Sequence, residues 1–183
     1  MHTIENLIND GHLFTHTLGN PEQQELNMKL AIGCDEAAFD LKELIKQHLA
    51  DKGLDVTDFG TFEAEPVHYP NIAFAVAEKV AQGEFDRAVL MCGTGIGMAI
   101  AANKVRGIRA AQCHDTYSAE RASRSNDAQI ITIGARVVGP ELAKAIVDTW
   151  LGASFDGGRS VPKVNRIKEY EDDHLLPHNN KTV

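Results

Sequence analysis

From residue 28 to residue 151 the chain alternates short runs of apolar residues with longer stretches where apolar residues recur every three or four positions. The short runs predict strands at 29–33 (KLAIG), 54–59, 88–92, 107–113 (GIRAAQC) and 128–133 (AQIITI). The longer stretches predict helices near 37–51, 72–80, after the glycines of 93–97, at 117–125 and at 140–151. In the first of these, Phe39, Leu41, Leu44, Ile45 and Leu49 share one face, and Gly53 ends it. Pro140 suits the first turn of the fifth, where its missing N–H costs nothing. After the Gly157-Gly158 break a more polar helix is expected at 162–172.

Five alternations, with strands that read as unbroken apolar runs, predict an α/β fold. It is a single doubly wound, Rossmann-like domain: a five-stranded parallel sheet covered by helices on both faces, plus a C-terminal helix. The domain is expected to span 28–173, with a polar extension at 1–27 outside the core and a polar tail at 174–183. Folds of this class bind ligands beyond the C-terminal ends of their strands. At those ends stand Cys34-Asp35-Glu36, Cys92-Gly93-Thr94, Cys113-His114-Asp115 and Gly134-Ala135-Arg136, so polar groups are expected along one edge.

Composition narrows the function classes. The 183 residues carry a net charge of −8, which argues against a general nucleic-acid binder but leaves room for small anions held by local cations. Three cysteines are too few, and odd in number, for a disulfide framework. No apolar run approaches the roughly 20 residues of a membrane span. A soluble protein of a reducing cytoplasm is expected.

The densest chemistry lies in RAVLMCGTGIGMAIAANK at 87–104. An apolar strand, a glycine turn and a helix start would point the N–H groups of Gly93, Gly95, Ile96 and Gly97 above the strand end, beside Cys92 and Thr94. A thiol in that position can act as a thiolate base, and the N–H groups can hold a phosphate or an oxyanion. The glycines alone do not make a nucleotide site, because GTGIG lacks the third glycine of GxGxxG and no Walker lysine follows. Asp35 reads either as a helix N-cap or as an acceptor for substrate hydroxyls, and His114 either as a solvated loop residue or as an acid/base. Arg136, Arg159 and Lys163 are candidate phosphate ligands. No CxxC or HxxxH spacing suggests a metal.

These residues resemble the sugar-phosphate isomerases of the ribose-5-phosphate isomerase B and galactose-6-phosphate isomerase type. The resemblance runs from about residue 28 to 170. It rests on IGCD, DFGT at 58–61, HYP at 68–70, CGTGIGMAIAANKVRGIRAA at 92–111, SND at 125–127, IGARVVGPELA at 133–143 and FDGGR at 155–159. It implies aldose–ketose isomerisation through a cis-enediolate, without metal or redox cofactor. Cys92 would be the base, with Thr94 and the loop N–H groups on the enediolate oxygens and Asn126 at the substrate oxygens. Asp35 would meet the sugar hydroxyls, with Glu36 and Tyr69 also expected at the substrate, and Arg136 and Arg159 would hold the phosphate, with Lys163 a further candidate. It further implies a homodimer, or a dimer of dimers, that completes the site across its interface.

The chain departs from the ribose-5-phosphate isomerase pattern in places that bear on the sugar. Asp-His becomes Asp35-Glu36; His-Asn, whose histidine is assigned to opening the furanose ring, becomes Ser125-Asn126; and Arg-His-x-x-Arg becomes Arg159-Ser160-Val161-Pro162-Lys163. His114 stands at a variable place and could substitute in part. A tetrose 4-phosphate cannot close a furanose ring and needs no ring-opening acid. HDTYSAERASRSNDAQIITIGARV is also similar to the erythrulose-4-phosphate isomerase branch. Ribose 5-phosphate is the leading expectation and the tetrose phosphate the alternative, ahead of a hexose phosphate or a non-catalytic sugar-phosphate binder.

Overall fold

The computed structural model describes residues 28–174; the expected extension at 1–27 and the end of the tail lie outside the described residues. Strands β1 (Lys29–Cys34), β2 (Asp55–Asp58), β3 (Arg87–Cys92), β4 (Ala110–Gln112) and β5 (Ile130–Gly134) form one parallel sheet in the order β2-β1-β3-β5-β4. Helices α1 (Phe39–Asp51), α2 (Tyr69–Ala81), α3 (Ile96–Ala102), α4 (Thr116–Asn126) and α5 (Pro140–Leu151) alternate with them, and α6 (Val161–His174) follows. No helix among the described residues is long and apolar enough to cross a membrane.

Side-chain alternation along the strands divides the core into two layers. Leu30, Ile32, Val89, Met91, Ile131 and Ile133 face α1, α4 and α5, where Trp150 is fully buried. Ala31, Ala88, Leu90, Cys92 and Ile130 face α2 and α3. The doubly wound expectation holds, and the continuous apolar strands are explained by burial on both sides.

Boundaries moved where backbone chemistry overrode periodicity. β4 is three residues long, not seven, because Gly107 turns the chain at φ 82° and the strand starts only at Ala110. Helix α2 starts at Tyr69, before the apolar pattern begins, with Pro70 in its first turn. Lys42, on a helix whose apolar face was legible, is fully buried. Its Nζ lies 2.7 Å from Asp58 Oδ2, 2.9 Å from Glu43 Oε1 and 2.7 Å from the Thr61 carbonyl, tying α1 to the end of β2. Burial pushes the Asp58 carboxyl up, but hydrogen bonds from Lys42, Lys46 and the Gly60 N–H outweigh it and hold the group below its ordinary range.

Candidate active site

Cys92 ends β3 beside Gly134 of β5 and is only 5% exposed. The chain then turns through Gly95 at φ 77°, a conformation that favours glycine; a Cβ there would also lie 3.0 Å from the Ile133 carbonyl carbon. Gly134 is equally constrained, since its Cβ would come within 2.7 Å of the Thr94 backbone. These two glycines let the loop lie flat on the end of β5. The result aims backbone donors at side chains: Gly95 N–H meets Cys92 Sγ at 3.0 Å, and Ile96 N–H meets Thr94 Oγ1 at 3.3 Å. Because Thr94 Oγ1 accepts, its own proton is left to donate outward. Helix α3 has only seven residues, so the individual N–H groups, not a long macrodipole, carry the electrostatics.

Several predicted residues gather around this loop. The Arg136 side chain lies over Gly93, with Nε 3.5 Å from where a Cβ would stand. Tyr69 covers Gly97 so closely that a Cβ would fall 2.7 Å from its hydroxyl. Asp35 Oδ1 accepts the Ala37 N–H at 3.0 Å, so it does cap the turn that starts α1. Burial first, then the charge of Glu36, raises its carboxyl pKa, against N–H bonds and Arg136, which lower it. Glu36 Oε2 accepts the Val67 N–H at 3.3 Å and ties down the loop before Tyr69. His114 Nε2 accepts the Gly134 N–H at 3.0 Å. That fixes the Nδ1–H tautomer and makes the ring a support for the turn carrying Arg136.

The remaining predicted residues lie elsewhere. Helix α4 runs back from the carboxyl edge of the sheet, and its end sits beside Arg109, just before β4: Arg109 Nε donates to the Asn126 carbonyl at 3.0 Å. Ser125, Asn126, Arg159 and Lys163, with Val164 and Ile167, line a cavity of about 270 Å³ there. The strand-end groups expected along one edge do lie there, whereas Asn126, Arg159 and Lys163 stand at the amino edge, away from Cys92 in the same chain. Arg159 and Lys163 form no ion pair with any described acidic residue, although acidic residues are abundant.

The other two strand-end cysteines are of a different kind. Cys34 and Cys113 face the α1, α4 and α5 layer, opposite to Cys92. Burial pushes both thiols up to about 12, against a partial lowering by Lys42 at Cys34. Sequence reasoning missed Gln112 and Thr132, whose side chains bind the carbonyls of Thr94 and Gly95. Each falls within a strand run, and only the period-2 parity with Ala110 and Ile130 could have put them on the Cys92 face. Among the described residues no cluster of three His, Cys, Asp or Glu side chains is placed to hold a metal.

Comparison with known proteins matches this architecture. The family profile described as Ribose/Galactose Isomerase covers residues 30–167. Ribose-5-P isomerase B of Listeria innocua is 56% identical over 144 residues, 79% of this chain and 97% of the relative. D-erythrulose-4-phosphate isomerase of Pectobacterium atrosepticum is also 56% identical, over 145 residues, 79% of this chain and 95% of its own. The solved ribose-5-phosphate isomerase B of Clostridium thermocellum superposes with a TM-score of 0.79 at 49% identity, covering 80% of this chain and 99% of that one. With the profile spanning nearly all of the described residues and relatives above half identity, the chain belongs to the ribose/galactose isomerase family.

Proposed function

We propose that the protein is an aldose–ketose isomerase of phosphorylated sugars acting through a cis-enediolate, with ribose 5-phosphate and ribulose 5-phosphate as its substrate pair. The observation that carries this is Cys92 Sγ at the bottom of the glycine loop with the Gly95 N–H aimed at it. A thiolate so placed takes the proton from C2 of the aldose and returns it to C1. The Thr94 hydroxyl donates to the enediolate oxygen, and Arg136 adds positive charge over the loop. Asp35 and Tyr69 meet the sugar hydroxyls. No cofactor takes part in this sequence.

The half-site at Ser125, Asn126, Arg159 and Lys163 serves the Cys92 loop of a second copy, so the working unit is a homodimer, or a dimer of such dimers, and Arg159 and Lys163 hold the phosphate. Ile96, Ile100, Tyr117, Ile167 and Tyr170 are exposed, and a groove of about 820 Å³ opens between β4 and α6. An apolar surface of that kind favours a protein partner.

A second reading has its own support. The cavity at Asn126 presents Ser125 where the ribose-5-phosphate isomerase pattern has its ring-opening histidine, and no imidazole lines it. His114 retains only its Nδ1–H as a donor. This favours a tetrose 4-phosphate, the substrate type in the name of the Pectobacterium relative. Side-by-side kcat/KM on ribose 5-phosphate and erythrulose 4-phosphate decides: a tenfold preference for the tetrose, about 1.4 kcal/mol, replaces the leading reading. A Cys92→Ala enzyme with unimpaired turnover of both sugars removes the base assignment.

A further inference from the structure

Two side chains outside the proposed catalytic set hold the glycine loop from behind. Gln112, the last residue of β4, donates from Nε2 to the Thr94 carbonyl at 2.7 Å. Thr132, fully buried in β5, donates from Oγ1 to the Gly95 carbonyl at 2.8 Å. In a planar trans peptide the C=O and N–H point in opposite directions. Drawing the Thr94 carbonyl towards β4 therefore turns the Gly95 N–H the other way, to Cys92 Sγ. Drawing the Gly95 carbonyl towards β5 turns the Ile96 N–H to Thr94 Oγ1. Gly95 supplies no side chain of its own; its carbonyl also accepts the Ala99 N–H of α3 at 3.1 Å, so Thr132 adds a second hold on that peptide, while Gln112 supplies the side-chain hold on the Thr94 carbonyl. Each carbonyl bond also polarises its peptide and strengthens the donor at the far end.

We infer that Gln112 and Thr132 are positioning residues that set the two reacting side chains through the backbone, Gln112 acting on the Cys92 thiolate and Thr132 on the Thr94 hydroxyl. This rests on the assignment of Cys92 as base. The two grips are separable, because each holds a different peptide. Strand parity places them where they can act: Gln112 and Thr132 each lie two residues beyond a residue facing the α2–α3 layer, the layer of Cys92.

The test uses the full chain. Gln112→Met keeps length and shape but removes the donor; because Gln112 also lines the groove between β4 and α6, the oligomeric state of the variant is measured beside its kinetics and must match wild type. Its Cys92 alkylation by iodoacetamide at pH 7 falls about threefold, and the acid limb of kcat/KM moves to higher pH with KM held. Gln112→Asn, which keeps a neutral amide donor one methylene shorter, recovers part of both. Asp35, Arg136 and His114, the ionisable groups around the loop, are unchanged in these variants. Thr132→Val leaves Cys92 alkylation as it was but lowers kcat about tenfold at constant KM, and Thr132→Ser restores it. Wild-type alkylation and pH profile in Gln112→Met overturn the Gln112 assignment, and wild-type kcat in Thr132→Val overturns that of Thr132. Cys92→Ala identifies the alkylated thiol. Full activity in Cys92→Ala would remove the base reading, while the alkylation comparison would still decide whether Gln112 acts on the thiol.

Discussion

At the carboxyl edge of the sheet, Cys92 is 5% exposed and the loop above it is held by glycine fit, by strand β5 and by side chains from β4 and β5. At the amino edge, Arg159, in the turn before α6, and Lys163, on α6, border a cavity without an acidic partner among the described residues, and α6 buries only Val164. On the proposed function the first region carries the proton transfer and the second the phosphate contact. Moving a proton between adjacent carbons requires donors fixed before the reaction starts, because reorganising them would add to the barrier. Capturing a phosphate requires unpaired cations, which an acidic chain keeps only where they are kept clear of its own carboxylates. On the proposed function the two lie on opposite edges of one sheet and a second copy brings them together.

The strongest way to break this contrast is Cys92→Ala. If the carboxyl edge alone carries the proton transfer, kcat falls by roughly 10²–10⁴-fold while KM changes little. Arg159→Ala acts on the other half: kcat/KM is expected to fall about 10–100-fold, mostly through KM, because a charge-assisted phosphate contact is worth about 1.5–3 kcal/mol. A rise in KM with Cys92→Ala, or an unchanged KM with Arg159→Ala, would erase the division of labour.

Mixing Cys92→Ala with Asn126→Ala, each expected to lose activity alone, sharpens it. Equal amounts of Cys92→Ala and Asn126→Ala subunits, unfolded and refolded together, form mixed dimers with one intact site, so activity returns to about a quarter of wild type. Two inactive parents that stay inactive after mixing would mean that each site is built within one chain. The smallest expected effect concerns acid. Asp58 is held below its ordinary carboxylate range in the folded chain, so its contribution to stability is complete above the unfolded pKa and is lost as pH falls through the lower folded value. Asp35, raised when folded, has the opposite sign and offsets part of it. Thermal unfolding midpoints should therefore drop below about pH 4, less steeply in Asp58→Asn, whereas an equal slope in that variant would remove Asp58 from the acid response.

The fold was legible because burial on both faces wrote itself into five apolar runs, and the Cys92 loop because glycines follow a strand without interruption. Residues that act through the backbone left less trace. Gln112 looked like a polar interruption of a strand, and Thr132 like a β-branched strand residue, since nothing in one dimension says which carbonyl a side chain will reach. Lys42 showed only as a polar helix position, although its ammonium group is fully enclosed by Asp58, Glu43 and the Thr61 carbonyl.

The order of elements, the strand-end cysteines and the candidate phosphate cations were determined by the sequence. The glycine loop singled out Cys92 in the sequence; the tertiary structure decided that Cys92 faces one layer and Cys34 and Cys113 the other. It also decided that Asn126, Arg159 and Lys163 stand at the opposite edge from Cys92. A helix that links parallel strands must travel back across the sheet, so α4 carries its last residue away from the edge where it began.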